Sequence, residues 1–106
     1  MNKKYKLVFT VPVENTDAVR QAIGEAGAGQ LGNYSFCSFS VKGIGRFKPE
    51  QGANPTIGEA GKMEEVEEER VECQVDPEVL DAVLAALKKT HPYEEVAYDV
   101  WKLEDK

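Results

Sequence analysis

The strongest constraint on the fold is a change in hydrophobic period that occurs twice along the chain. From Tyr5 to Val13 apolar and polar residues alternate, which is the pattern of a half-buried β-strand. After Thr16 the apolar residues recur at helical spacing, and this predicts an amphipathic helix that ends at Gly27. Alternation followed by helical spacing returns from about Val66 onwards. The chain is therefore expected to contain two successive units of strand, helix and strand.

Two further strands complete these units. A run of aromatic and β-favouring residues from Tyr34 to Val41 predicts strand two, and alternation from about Val66 to Val75 predicts strand three. Helix two follows a cap at Asp76, and residues 96–103 form the last predicted strand. The order β-α-β-β-α-β is typical of an α+β, ferredoxin-like sandwich. We expect one domain over residues 1–106, with two helices on one face of a four-stranded antiparallel sheet and a long loop between strands two and three.

Strand two predicts that both faces of the sheet need a cover. Its large residues fall on both sides, with Cys37, Phe39 and Val41 on one face and Tyr34 and Phe36 on the other. Two helices cover one face, and soluble monomers seldom leave a contiguous aromatic patch exposed. A second copy of the chain is the simplest cover for the other face, which predicts a homo-oligomer. The alternative is that the long loop folds back over it.

Composition excludes several classes of function. The formal charge is −6, and so acidic a balance disfavours binding to nucleic acid or to an anionic membrane, which both depend on a basic surface. No apolar run approaches the roughly 18 residues that span a bilayer, and the first residues lack a signal-peptide cleavage site. Cys37 and Cys73 lie in separate alternating segments, which fits buried reduced thiols. A soluble, cytoplasmic protein is predicted.

The segment from Gly43 to Gly61 has no hydrophobic period and is predicted to be a long loop. It contains five glycines and two prolines, and between Lys42 and Lys62 four basic residues face two acidic ones. Backbone N–H groups and basic side chains in such a loop suit a small anionic ligand, such as a phosphate or carboxylate. A solvated loop is the simpler alternative. The candidate ligand-binding residues are Gly43, Gly45, Arg46, Lys48, Gly52 and Gly58.

An acidic run follows this loop at residues 64–69. Such runs are usually solvated faces. Because a strand divides the run between the two faces of the sheet, the alternative is that some of these carboxylates meet Arg46, Lys48 or a neighbouring subunit.

The segment His91-Pro92-Tyr93-Glu94-Glu95 places the only histidine beside two carboxylates. Imidazole and carboxylate groups bind divalent transition metals, so His91, Glu94 and Glu95 are the candidate metal ligands. As an alternative, His91 with Glu94 or Glu95 forms the acid–base pair of a small enzyme at a subunit boundary. The structural alternative is that His91 lies near the last carbonyls of helix two, where it would contribute little to the core. No catalytic residue is assigned.

Several motifs together resemble one known family. They are Tyr34-Ser-Phe-Cys-Ser-Phe, Gly43-x-Gly-x-Phe-x-Pro, Gly52-Ala-x-Pro-x-Ile-Gly and His91-Pro-Tyr-Glu-Glu-x-Ala-Tyr-Asp. From Tyr5 to Leu103 the chain resembles the PII-like domain inserted in YqfO-type proteins, the NGG-interacting-factor-like GTP cyclohydrolase I type 2 homologues. The segment from His91 to Glu94 is also similar to the divalent-cation tolerance proteins called CutA.

The resemblance implies a PII/CutA-like module, here as a stand-alone chain, that assembles as a trimer. It further implies a regulatory role based on binding a small ligand or a divalent metal ion. The dinuclear-metal body of the family carries several histidines, whereas this chain has one, so its activity is not carried over. Besides the enzyme with His91, a third alternative is an interaction module that docks onto a separate dinuclear-metal protein.

Overall fold

The computed structural model describes residues 4–106 and contains the elements in the predicted order. The four strands are β1 (Tyr5–Pro12), β2 (Phe39–Phe47), β3 (Glu64–Val75) and β4 (Tyr98–Lys102). The two α-helices are α1 (Thr16–Glu25) and α2 (Leu80–Thr90), and a short 3-10 turn precedes each of them, at Val13–Asn15 and Pro77–Val79. All neighbouring strands are antiparallel, in the sheet order β2-β3-β1-β4. The ferredoxin-like arrangement is confirmed.

The core lies between the two helices and one face of the sheet, here called the helix face. Alternate residues of β1 and β3 point to this face, and the register pairs Leu7 with Cys73 and Phe9 with Val71. The buried side chains of the core are Leu7, Phe9, Val11, Val19, Ile23, Ala28, Val71, Cys73, Val75, Val83 and Leu87. The strand and helix periods in the sequence predict these positions, except for Ala28 in the turn after α1, because each period puts one apolar face against the other.

Helix α1 ends as the sequence predicts. Gly27 has a φ of 116°, a conformation that disfavours residues with a Cβ atom. The N–H of Ala28 donates to the carbonyl of Ile23, and the N–H of Gly27 donates to the carbonyl of Gly24. These two bonds satisfy carbonyls that the end of the helix leaves free, as in a Schellman motif.

The predicted bounds of strand two are wrong. Residues 34–38 lie outside the sheet, and β2 begins at Phe39. Leu31 and Tyr34 exchange two backbone hydrogen bonds of 2.9 Å, which folds the chain into a tight turn before the strand. Phe36 follows with a φ of 60°, and its ring packs against Gly24, where a Cβ atom would lie 2.1 Å from the ring. The aromatic run therefore packs partly on helix α1, because a positive φ interrupts an extended strand.

At its other end β2 continues through the glycines that were predicted to be loop. Gly43 pairs with Glu68 and Gly45 with Val66, so the strand runs to Phe47 and the connecting loop covers residues 48–63. Backbone hydrogen bonds form this part of the sheet. Because two of its residues are glycines, it has no alternation of apolar and polar side chains by which the sequence could predict a strand.

The face of the sheet away from the helices, here called the outer face, is only partly covered. Phe39 and Val41 belong to this face with Trp101, and Phe39 is 67% exposed. Their predicted grouping with Cys37 is corrected, since Cys37 lies outside the strand and is half-buried, whereas Cys73 is buried on the helix face. Both cysteines are free. Neither helix of the described chain is long and apolar enough to cross a bilayer.

Candidate ligand-binding cleft

A cleft of about 430 Å³ lies on the outer face, between the sheet and the loop that joins β2 to β3. Its volume is within the range typical of small-molecule sites. The sheet contributes Thr10, Gly45, Phe47 and Glu68, and the loop contributes Pro49, Ala53, Pro55, Thr56 and Ile57. The segment after helix α2 completes the cleft with Tyr93, Glu94, Glu95 and Ala97. The two segments that the sequence marks for binding thus meet at one site.

Two hydrogen bonds hold the loop against the segment after helix α2. The N–H of Asn54 donates to Oε1 of Glu94 over 2.7 Å, and Oγ1 of Thr56 donates to the carbonyl of Pro92 over 2.7 Å. Glu94 is therefore already engaged in holding the loop.

His91 is buried behind this cleft rather than exposed in it. It caps helix α2, its side chain is 6% exposed, and Nε2 lies 2.8 Å from the carbonyl of Thr10 in β1. The N–H of Tyr93 donates to Nδ1 over 3.1 Å. The Thr10 carbonyl can only accept, so Nε2 carries a proton. Nδ1 accepts from the N–H of Tyr93 and so carries none, and the ring is neutral. Burial lowers the pKa of His91 and outweighs the opposing effects of the Thr10 carbonyl and the Glu68 carboxylate.

The three predicted metal ligands have different surroundings. His91 has both ring nitrogens in hydrogen bonds, Glu94 accepts from Asn54, and Glu95 is exposed at the cleft. Among residues 4–106, no three His, Cys, Asp or Glu side chains are grouped so that they could hold a metal ion. The metal set stays a prediction, and coordination by His91 would require it to release one of its hydrogen bonds.

The basic residues predicted for anion binding are at the cleft, but carboxylates already accompany them. Arg46 Nε lies 3.0 Å from Oε2 of Glu65, and Lys48 Nζ lies 3.5 Å from Oε1 of Glu50. Of the predicted glycines, Gly45 lines the cleft, whereas Gly43, Gly52 and Gly58 are not part of its lining. Gly52 and Gly58 have positive φ values and form turns of the loop.

Glu68 is a buried carboxylate in the floor of the cleft. It is 7% exposed and its side chain extends over Gly45, where a Cβ atom would lie 1.9 Å from Oε1. A side chain at position 45 would therefore displace the carboxyl group of Glu68 from its present position. Within the described part of the chain, Glu68 takes part in no ion pair.

The hydroxyl of Tyr93 lies beside this carboxylate. It is buried, the Glu68 carboxylate is the acceptor beside it, and no described residue donates a hydrogen bond to the phenol oxygen. Burial and the neighbouring Glu68 carboxylate raise the pKa of Tyr93 to about 12, so the phenol stays protonated. The ring of Tyr93 is 5.8 Å from that of Phe47, and both rings line the cleft.

Comparison with known proteins places the chain in one part of larger relatives. No family model matches it. It is 54% identical over 99 residues to the GTP cyclohydrolase 1 type 2 homolog of Halalkalibacterium halodurans and 52% identical over 99 residues to that of Bacillus subtilis. These matches cover 93% of this chain but 27% and 26% of the relatives. The chain thus spans about a quarter of the length of the curated relatives it matches.

Solved structures agree with this assignment. The Bacillus cereus protein related to NIF3 aligns with a TM-score of 0.85 at 43% identity, over 98% of this chain and 26% of that one. CutA from Archaeoglobus fulgidus aligns with a TM-score of 0.70 over 97% of this chain and 86% of its own. At 17% identity this second likeness shows the fold alone. The chain is therefore similar in sequence to one segment of the GTP cyclohydrolase 1 type 2 homologs and has the fold seen in CutA. The resemblance expected from the sequence motifs is confirmed.

Sequence reasoning did not single out Glu68 and Tyr93 in this CutA-like fold. Glu68 belongs to the acidic run that was expected to be solvated or to meet Arg46 and Lys48, and its neighbour Glu65 does pair with Arg46. The signal that could have identified Glu68 is a glycine-rich segment paired with an acidic strand. A glycine leaves space over the sheet into which a long side chain of the neighbouring strand can extend. Tyr93 was named only as part of its motif, between the histidine and the carboxylates.

Proposed function

We propose that the chain is a self-associating, CutA-like regulatory module of the cytoplasm that binds a small ligand in the cleft between residues 48–63 and 91–97. The convergence of these two segments over a mostly apolar cleft of about 430 Å³ carries the proposal. Apolar walls with a few fixed polar groups are characteristic of small-molecule sites. Turnover of the ligand by His91 is less favoured, because its ring is buried and both nitrogens are hydrogen-bonded.

Self-association is supported by the uncovered part of the outer face. The loop covers the end of the sheet near Phe47, whereas Phe39, Val41 and Trp101 remain at least partly exposed at the other end. Phe39 and Val41 are neighbours on the edge strand β2 and form the uncovered patch, whereas Trp101 lies on the opposite edge strand β4. Burial of this patch by another copy would remove apolar surface from water. The resemblance to CutA and PII proteins makes a trimer the favoured assembly.

Native mass spectrometry with a defined mixture of cellular metabolites and divalent metal ions tests ligand binding. Ala97 lines the cleft, so Ala97→Phe should fill it, whereas Ala85→Phe changes an exposed position on helix α2 and serves as the matched control. Wild type and Ala85→Phe should retain the same added mass, and Ala97→Phe should lose it. Retention by all three proteins places the ligand elsewhere, and no added mass in any of them contradicts a ligand-binding function.

The same spectra report the number of subunits. Phe39→Asp introduces a charge into the uncovered patch and should give a monomer, whereas Met63→Asp changes an exposed apolar residue outside this patch. A wild-type mass of one chain at every concentration would contradict self-association. Loss of an added metal mass after treatment with a chelator would instead favour the metal-binding form of the module.

A further inference from the structure

We propose that the cleft selects ligands that carry a cationic N–H donor, such as an ammonium or guanidinium group, on an apolar body, with Glu68 and Tyr93 as the recognition pair. This inference rests on the proposed ligand-binding function and adds the chemical class of the ligand. It reverses the charge that the basic residues of the loop predict from sequence.

The first support is the buried carboxylate itself. Glu68 is 7% exposed and lacks an ion-pair partner within residues 4–106. The nearby His91 ring is neutral and therefore does not compensate the negative charge. A buried carboxylate without a cation is unfavourable, so the floor of the cleft is complementary to a ligand that brings a positive charge.

The second support is the phenol beside this carboxylate. The Glu68 carboxylate acts on the buried Tyr93 hydroxyl as an acceptor and raises its pKa, and no described residue donates a hydrogen bond to the phenol oxygen. A phenol oxygen accepts as well as donates, so an N–H donor in the cleft would complete its hydrogen bonding. An ammonium nitrogen between the two side chains would donate to the Glu68 carboxylate and to the phenol oxygen.

The aromatic walls of the cleft fit the same ligand. Phe47 and Tyr93 present two tilted rings 5.8 Å apart. Aromatic faces attract cations and also bury apolar groups. Arg46 and Lys48 also line the cleft, but both are exposed, and the carboxylates of Glu65 and Glu50 beside them offset their charge.

Three probes of similar shape and different charge test the proposal by calorimetric titration. They are 2-phenylethylammonium, the neutral 2-phenylethanol and the anionic 3-phenylpropionate. The ammonium should bind wild type at least about tenfold more tightly than either of the others, because a charge-assisted hydrogen bond in a buried site contributes about that factor. Equal binding of the alcohol, preferred binding of the carboxylate, or no binding of the ammonium would overturn the proposal.

Variants attribute the selectivity to named residues. Glu68→Gln keeps the shape of the side chain and should weaken ammonium binding about tenfold, and Tyr93→Phe should weaken it by a smaller factor. Glu67→Gln removes a neighbouring exposed carboxylate from the opposite face of β3 and should leave binding unchanged. Circular dichroism checks that each variant folds. Unchanged ammonium binding by Glu68→Gln would overturn the proposal.

Two outcomes separate this proposal from the one on which it rests. In the first, 2-phenylethylammonium does not bind, while the metabolite mixture still adds a mass to wild type that Ala97→Phe loses. The cleft then binds ligands of another charge, and only this inference is wrong. If Glu68→Gln changes the number of subunits and leaves ammonium binding intact, Glu68 instead pairs with a cation of a second copy.

Discussion

The helix face and the outer face of the same sheet are built from alternate residues of the same strands, yet they differ in which kinds of side chain they bury. On the helix face, Leu7, Phe9 and Val71 are buried among other apolar side chains. On the outer face, Phe39 is exposed and Glu68 is buried. On the helix face the buried side chains are apolar, as expected, whereas on the outer face an apolar side chain is exposed and a charged one is buried.

The difference separates side chains that stabilise the isolated chain from side chains whose burial or exposure does not stabilise it. Apolar side chains on the helix face contribute to the free energy of unfolding by leaving water. A buried carboxylate and an exposed phenylalanine each cost stability or solubility in the isolated chain. Such departures are characteristic of surfaces that meet another molecule.

The largest expected effect compares two phenylalanines on opposite faces. Phe9 is 1% exposed and Phe39 is 67% exposed. Phe9→Ala should lower the free energy of unfolding by about 3–5 kcal/mol, because it removes contacts and leaves a cavity. Phe39→Ala should change it by less than about 0.5 kcal/mol at high dilution. Urea denaturation of both variants gives these values. An equal loss at high dilution would show that the chain itself covers Phe39.

A smaller effect concerns His91, which joins the segment of the cleft to β1 through Thr10. Burial lowers its pKa in the folded state, so the unfolded state takes up a proton first as the pH falls. Its contribution to stability should be complete above the ordinary pKa of histidine, about 6.5, and should decrease as the pH falls below that value.

Urea midpoints measured at a series of pH values test this expectation. The midpoint of wild type should decrease on acidification through the histidine range more steeply than that of His91→Gln, which keeps a side-chain donor but does not titrate there. Parallel curves for the two proteins would show that His91 is not held in its neutral form.

The smallest effect concerns the ion pair at the rim of the cleft. Arg46 and Glu65 are 3.0 Å apart, and both side chains are more than half exposed. A double-mutant cycle with Arg46→Ala and Glu65→Ala should give a coupling of about 0.2–1 kcal/mol that salt reduces. A much larger coupling that salt does not reduce would mean that an assembly buries this ion pair, so that its surroundings resemble those of the buried helix face.

The sequence predicts the helix face more completely than the outer face. The alternation of β1 and β3 and the stripes of both helices are set by burial on one side, so their periods are visible in the sequence. Strand β2 lacks that signal, because Gly43 and Gly45 carry no side chain and Phe36 leaves the strand through a positive φ. Its predicted bounds are therefore shifted towards the N-terminus.

The candidate site divides in the same way. The loop and the segment from His91 to Glu95 are recognisable by composition, and the structure brings both to one cleft. The role of Glu68 depends on register across β2 and β3, which places it over Gly45. The orientation of His91 towards Thr10 depends on packing between residues distant in sequence. Its ring is buried, which its position at the end of helix two did not predict, and its small contribution to the core stays a prediction.

The sheet order β2-β3-β1-β4 also has a consequence for folding during synthesis. Tyr5 in the central strand β1 pairs with Val75 on one side and with Lys102 on the other, so both edges of this strand wait for residues translated much later. Contacts of such high sequence separation slow folding. The nascent chain therefore carries β1 as an unpaired, apolar strand until β3 emerges from the ribosome, and β3 can then pair with β1 on one side and with β2 on the other.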